Sequence, residues 1–193
     1  METFYSIQGE GYHTGKSAFF IRLSGCDIGC SWCDVKESWN VENSTLKSVE
    51  ELVEEAVSHK AQRVIITGGE PTMYDLAPLT QALQNANISP HLETSGVYAI
   101  TGQWDWICIS PKKFKAPLAL EMKKADELKI VVVNKSDFNW AEEHNAHVNK
   151  NCKLFLQPEW DKAEQVIESI NNYVKSSPNW RISLQTHKYM NIR

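Results

Sequence analysis

Cys26, Cys30 and Cys33 lie within the eight-residue stretch CDIGCSWC, directly after the run FIRLSG. A CxxxCxxC spacing lets three thiolates converge on one metal site from a single loop. Four thiolates would close a structural zinc site or an ordinary iron–sulfur cluster. Three thiolates on a four-iron cluster leave one iron with a free position, and an open position is what metal chemistry requires. The chain has five cysteines in all. Cys108 sits inside the apolar run DWICIS and Cys152 follows a polar segment, so neither forms a CxxC pair. Both read as small buried hydrophobes. A structural zinc loop is the alternative reading of the cysteine trio.

A second group, TGGEP at 67–71, ends the apolar run RVIIT about 35 residues later. Gly68 and Gly69 allow backbone to approach a ligand closely, and Glu70 adds a carboxylate beside them. Alone, such a stretch is a tight turn. Further polar residues close other β-like runs: Glu93, Ser110, Gln157 and His187.

The elements that must position these residues are short. Candidate strands cover 18–25, 63–71, 90–96, 105–112, 128–133, 153–158 and 180–188. The runs VII and IVVV suggest strands buried on both faces, as in parallel sheets. Helical periodicity marks 45–59, with Thr45 as N-cap, and then 73–86 and 161–176. Only about eight residues separate ETSG from DWICIS, too few for a helical crossover. The expected fold is α/β, an incomplete TIM-type barrel of about six parallel strands with few helices, in a single domain over 1–193. In such folds ligands sit at the C-terminal strand ends.

The net charge of −4, from 20 basic and 24 acidic residues, argues against nucleic acid or anionic membrane as a partner. No apolar run approaches the ~20 residues that span a bilayer. The start METFYSIQGEG lacks the pattern of a signal peptide. A cytoplasmic location is the expectation.

CDIGCSWC, with Trp32 before its last cysteine, resembles the cluster loop of the radical S-adenosylmethionine (SAM) superfamily, and TGGEP resembles that superfamily's second motif. The resemblance implies a [4Fe–4S] cluster whose open iron is chelated by SAM. FYSIQGEGYHTGKSAFFIRLSGC, CDVKESW, ETSG, SPKK, LQP and LQTHKYMNI, in that order, closely resemble the 7-carboxy-7-deazaguanine synthase family from about residue 4 onward. That likeness implies a carbon–nitrogen lyase of queuosine (7-deazapurine) biosynthesis. A 5′-deoxyadenosyl radical takes hydrogen from C6 of 6-carboxy-5,6,7,8-tetrahydropterin; the ring contracts and ammonia leaves. It also implies a homodimer and a flavodoxin-like electron donor.

By motif matching, the resemblance assigns Cys26, Cys30 and Cys33 to the cluster, and Trp32, Gly68, Gly69, Glu70, Glu93, Ser110, Lys112 and Gln157 to SAM. Glu70 would meet the methionine part and Glu93 the ribose hydroxyls. Gln8, Glu10, Gly11, Arg22, Thr67, Gln185, His187 and Arg193 fall to the pterin. Arg22 suits its carboxylate, although an outward-pointing Arg22 is the alternative. Many family members carry Thr or Ser, a Mg²⁺ ligand, where this chain has Val35. Valine offers no oxygen to a hard cation. Either Asp34 acts through a bridging water, or water and substrate carry the ion alone, or Mg²⁺ is not needed. The competing functions are a glycyl-radical activating enzyme and a non-catalytic iron–sulfur or zinc module.

Overall fold

The computed structural model describes residues 1–42 and 44–193. One curved sheet carries all eight strands in sequence order: β1 (Glu2–Ile7), β2 (Ser17–Leu23), β3 (Arg63–Gly68), β4 (Ser89–Thr94), β5 (Trp106–Ile109), β6 (Glu127–Val132), β7 (Lys153–Pro158) and β8 (Trp180–Ile182). β1 pairs antiparallel with β2, and β2 through β8 are parallel. Seven parallel strands thus replace the expected six or so. β1 escaped the sequence reading because ETFYSI is an edge strand of intermediate burial, without a strong apolar run. The sheet does not close into a barrel. β8 and β1 are instead stitched by loop contacts: Thr186 N–H and Oγ1 donate to the Gly9 carbonyl at 2.9 Å, and Ser6 Oγ donates to the Arg193 carbonyl at 2.6 Å.

The strand period of two divides the side chains. Val64, Ile66, Leu92, Leu128, Ile130 and Val132 are fully buried in the main core on the sheet's outer face. Their neighbours Ile65, Thr67, Glu93, Lys129 and Val131 point the other way, into the concave face, where they line a cavity.

Helices cover the outer face: α1 (Val49–Ser58), α2 (Ala77–Asn85), α3 (Ala119–Met122), α4 (Asp137–Asn145) and α5 (Ala163–Ser176), whereas α6 (Thr186–Met190) sits at the concave side, where His187 and Lys188 line the cavity. α1 begins later than expected. Its N-cap is Ser48, not Thr45, because Glu51 stands three residues on and completes a reciprocal capping box. α1 buries Leu52 and Ala56, and α5 buries Val166 and Ile170; each large apolar side chain so buried is worth about 1.5–3 kcal/mol. α4, absent from the sequence reading, has little amphipathic pattern. Its first residue, Asp137, anchors it by accepting the backbone N–H groups of Val133 and Asn134 at 2.6 and 2.9 Å. The stretch 180–188 is strand only to Ile182 and then turns into α6. No helix spans β4 to β5, in line with the short spacing between them.

Candidate functional site

One cavity of about 510 Å³ opens on the concave face at the C-terminal strand ends. The cysteine loop forms one wall. It leaves β2 through Gly25, which has a φ of 101° and donates to the Ser38 carbonyl at 2.7 Å. Ile28, Cys30 and Val97 pack together beneath the loop, with Cys26, Trp32, Cys33 and Tyr98 around them. Burial pushes the Cys30 thiol up to about 11, and the neighbouring Cys33 and Cys26 add to that rise while Lys112 opposes it. Burial likewise raises Cys26. The three sulfurs thus share one electrostatic neighbourhood. Among the described residues, however, no three His, Cys, Asp or Glu side chains close on a single ion. Three thiols on one loop are the donor set that a four-iron cluster with one open position takes. Cys108 is fully buried in β5 and Cys152 packs against the main core.

The glycine turn is locked to this wall. Gly69 N–H donates to the Leu23 carbonyl at 2.9 Å, and Glu70 N–H to the Gly25 carbonyl at 2.8 Å. A Cβ on Gly69 would stand 2.1 Å from the Gly25 carbonyl oxygen, so any larger residue would push the turn and the cysteine loop apart.

Glu70 lines the cavity, with its carboxylate engaged within the protein. Its carboxylate is 1% exposed and accepts from Thr72 N–H (3.1 Å) and Oγ1 (2.6 Å), Thr94 Oγ1, and Ser95 N–H (2.9 Å) and Oγ. Five donors saturate it. The side chain fastens the β3 loop to the end of β4 and has no lone pair free for the methionine part of SAM.

Side chains from four segments make the floor. Lys129 Nζ, on a residue 5% exposed, lies 2.7 Å from Glu10 Oε2 and 2.9 Å from Glu93 Oε2. Gln8 Nε2 donates to Glu93 Oε1 at 3.1 Å, and Gln185 Nε2 to Glu10 Oε1 at 2.9 Å. Burial alone would raise the Glu10 carboxyl, but Lys129, Gln185 and His187 overcome it and hold the group at about 2. Burial opposes the charge on Lys129, yet Glu10 and Glu93 drive its pKa well above the ordinary lysine value. Sequence reasoning missed Lys129, which it absorbed into the apolar strand LKIVVV. The available signal was the period of two: Glu127 and Lys129 share the inward face of β6.

Of the predicted site residues, all but Gly11 line this cavity. Gly11 lies beneath it, with its N–H on Ser183 Oγ at 2.9 Å and its Cα against Glu127. Arg22 is half-buried, faces the cavity, and pairs with Glu2 at 2.9 Å over the Phe4 ring; it does not point freely outward. Ser110 Oγ accepts Lys112 Nζ at 2.6 Å, and that ammonium lies 5.5 Å from the Trp32 ring centroid. Gln157 Oε1 accepts Ser183 Oγ at 2.7 Å. Thr67 and His187 also face the space, and burial lowers the His187 pKa despite Glu10 nearby. Arg193 reaches the rim, paired with Glu2. Val35 presents only hydrocarbon to the cavity, while Asp34 Oδ2 is taken by Lys188 Nζ at 3.1 Å.

Comparison with known proteins gives a consistent set of likenesses. The profile of the Radical SAM superfamily matches residues 20–113. A 7-carboxy-7-deazaguanine synthase of Flavobacterium psychrophilum is 54% identical over 192 residues, covering 100% of this chain and 91% of that protein. The Synechocystis synthase of the same name is 48% identical, with 100% and 92% covered. The Escherichia coli K12 one is 34% identical, with 99% and 97% covered. The crystal structure of QueE from Escherichia coli superposes with a TM-score of 0.81 at 33% identity, covering 95% of this chain and 91% of that one. Streptococcus suis SuiB bound to S-adenosylmethionine shares the fold, with a TM-score of 0.57 at 13% identity over 84% of this chain and 45% of that one.

Proposed function

The chain belongs to the 7-carboxy-7-deazaguanine synthase family, and from that premise we propose how its cavity converts 6-carboxy-5,6,7,8-tetrahydropterin to 7-carboxy-7-deazaguanine with release of ammonia. The observation that carries the reading is a single 510 Å³ space with three cysteines on one wall and Gln8, Glu10, Arg22, Thr67 and His187 opposite.

Cys26, Cys30 and Cys33 would hold a [4Fe–4S] cluster, and the glycine turn, Trp32, Ser110, Lys112 and Gln157 would hold SAM beside it. When bound, these groups supply the hydrogen-atom abstraction that starts the reaction. The chain's own residues bind, orient and exclude water. Glu10, ionised and fixed by Lys129, presents acceptor oxygens to the N–H-rich amidine edge of a pterin. Gln8 and Gln185 offer mixed donors and acceptors to the same ring. Arg22 turns from Glu2 to the substrate carboxylate, a bond worth ~1.5–3 kcal/mol. Glu93, which shares Lys129 with Glu10, contacts the ribose side with whatever lone pairs that pairing leaves it.

A protein-ligated Mg²⁺ does not fit. Val35 has no donor atom and Asp34 is paired with Lys188, so no step is routed through the ion. Exposed Leu184, Tyr189 and Met190 beside the unclosed sheet edge support a homodimer. A flavodoxin-like protein in the cytoplasm completes the reading as electron donor.

The test is anaerobic. Reconstituted enzyme with dithionite, SAM and 6-carboxytetrahydropterin yields 7-carboxy-7-deazaguanine by mass spectrometry, with SAM not consumed in proportion. SAM cleavage without that product would turn the assignment toward a protein substrate, as for a glycyl-radical activating enzyme.

A further inference from the structure

Beneath the cavity floor lies a second, small chamber of about 10 Å³, lined by Gln8, His13, Ile65, His91, Leu92, Glu93, Trp106 and Glu127. That is room for one water molecule. Gln8, Ile65 and Glu93 line both spaces, so the Gln8–Glu93 hydrogen bond is the partition between them.

The chamber is polar and incompletely satisfied. Glu127 is 2% exposed. Its Oε2 accepts Tyr12 N–H at 3.1 Å and Trp106 Nε1–H at 3.2 Å, while Oε1 has no partner. Both ring nitrogens of His13 are also buried without partners, and its ring centroid lies 4.8 Å from that of His91. Buried polar atoms left this way carry a free-energy cost that one bridging water removes. The inward cation, Lys129, is already shared by Glu10 and Glu93, and among the described residues Glu127 forms no ion pair. Lacking a cation, a buried carboxyl is cheaper to keep as the neutral acid, and its proton then sits on the unpartnered Oε1.

We propose that this chamber is a proton-relay site: one water molecule held between Glu127, His91 and His13, passing the Glu127 proton through the partition to Glu93 in the active site. The inference rests on the reading that the reaction releases ammonia. The Glu127 O–H proton moves to the water, a water proton moves to the Glu93 carboxylate, and Glu93 protonates the departing ammonia, which leaves as ammonium. Glu127, left as carboxylate, is reprotonated from solvent by way of His13 and His91. No electron is transferred and each proton donated is regained.

The groups facing Glu127 are His91 and Glu93 on β4, Cys108 on β5, Lys129 on its own strand, Cys152 before β7 and His13 from the 8–16 loop. Burial, with Glu93 adding and Lys129 opposing, raises the Glu127 carboxyl to about 7. Burial lowers both His13 and His91 to about 4, with Lys16 and Arg63 assisting in each case. The imidazoles are therefore neutral proton acceptors at the pH where Glu127 still holds its proton.

The experiment compares wild type with Glu127→Gln, both as reconstituted full-length enzyme. Infrared titration of the wild type should show a protonated-carboxyl stretch that fades as pH rises through about 7; Glu127→Gln should lack it. In turnover, kcat of the wild type should fall over that same range. The variant should lose about a hundredfold in kcat at neutral pH, lose this alkaline limb, and keep its KM and SAM binding. A wild type without the infrared band, or a variant with unchanged kcat and pH profile, would overturn the relay. Should Glu127→Gln not fold, the wild-type band alone decides whether the acid is there. If the wild type makes no deazaguanine product, the reaction assignment fails, while the band still reports on the chamber.

Discussion

The two sides of the cavity are built by opposite means. The cysteine wall is held by backbone: Gly25, Gly69 and Glu70 tie two loops together through main-chain hydrogen bonds, and the side chains that matter are three thiols. The floor is held by side chains: one buried ammonium between two carboxylates, with two amides completing their hydrogen bonds. A wall built from local chain geometry can be carried by a short motif. A floor built from residues 8, 10, 93, 129 and 185 exists only once the sheet has formed.

The contrast makes different failures on the two sides. Cys30→Ala should abolish cluster assembly, read as loss of visible absorbance after reconstitution, and leave the thermal melt of the apo-protein within a few degrees of wild type. Collapse of the fold would mean that the loop is not an autonomous wall. Lys129→Met should do the reverse. It strands two carboxylates on the floor, and breaking a buried pair in this way costs about 3–5 kcal/mol, visible in denaturant melts, while the cysteine wall still accepts its cluster.

The pH dependence follows from Glu10. Its folded pKa of about 2 lies below the 4.5 of the free group. It therefore stabilises the fold above the unfolded value, and that stability is lost as pH falls from about 4.5 through about 2. Lys129→Met should flatten this acid limb, and a limb unchanged in the variant would remove Lys129 as its cause.

Arg22→Ala probes the boundary between the two sides. SAM binding should stay nearly intact and substrate affinity should drop roughly ten- to a hundredfold, toward the lower figure because the Glu2 pair is given up on binding. Equal loss of both would place Arg22 with the cofactor instead. The smallest effect is expected from chelation. With Val35 and a paired Asp34, removing Mg²⁺ should leave the rate within about twofold, a free-energy change below ~0.5 kcal/mol. A fall to background that Mg²⁺ alone restores would show that the substrate carries an ion this chain does not ligate.

The same contrast decides what could be read before any coordinates. CDIGCSWC and TGGEP announced the cysteine wall because spacing within a loop survives in the sequence. The parallel strands announced themselves through VII and IVVV. Glu10 and Gln8 were reached only through resemblance, His187 also through its place at the end of a β-like run, and Lys129 by neither route, because a lysine inside IVVV-like residues looks like an interruption until the alternation of faces is followed. Motif position also could not show what holds the Glu70 carboxylate, because Thr72, Thr94 and Ser95 come from two different strand ends. β1 was invisible because an edge strand needs no apolar run.

The seam between β8 and β1 has a consequence for endurance. Where neighbouring strands elsewhere are joined by backbone ladders, this junction has scattered loop contacts: Thr186 and Ser6 on the Gly9 and Arg193 carbonyls, Gly11 N–H on Ser183, Gln185 on Glu10 and Arg193 on Glu2. Segments held by loop contacts in place of a ladder exchange their amide hydrogens through openings cheaper than global unfolding. The tail that bears Gln185, His187 and Arg193 therefore peels away while the sheet is intact, and heat silences the enzyme at a lower temperature than it melts it.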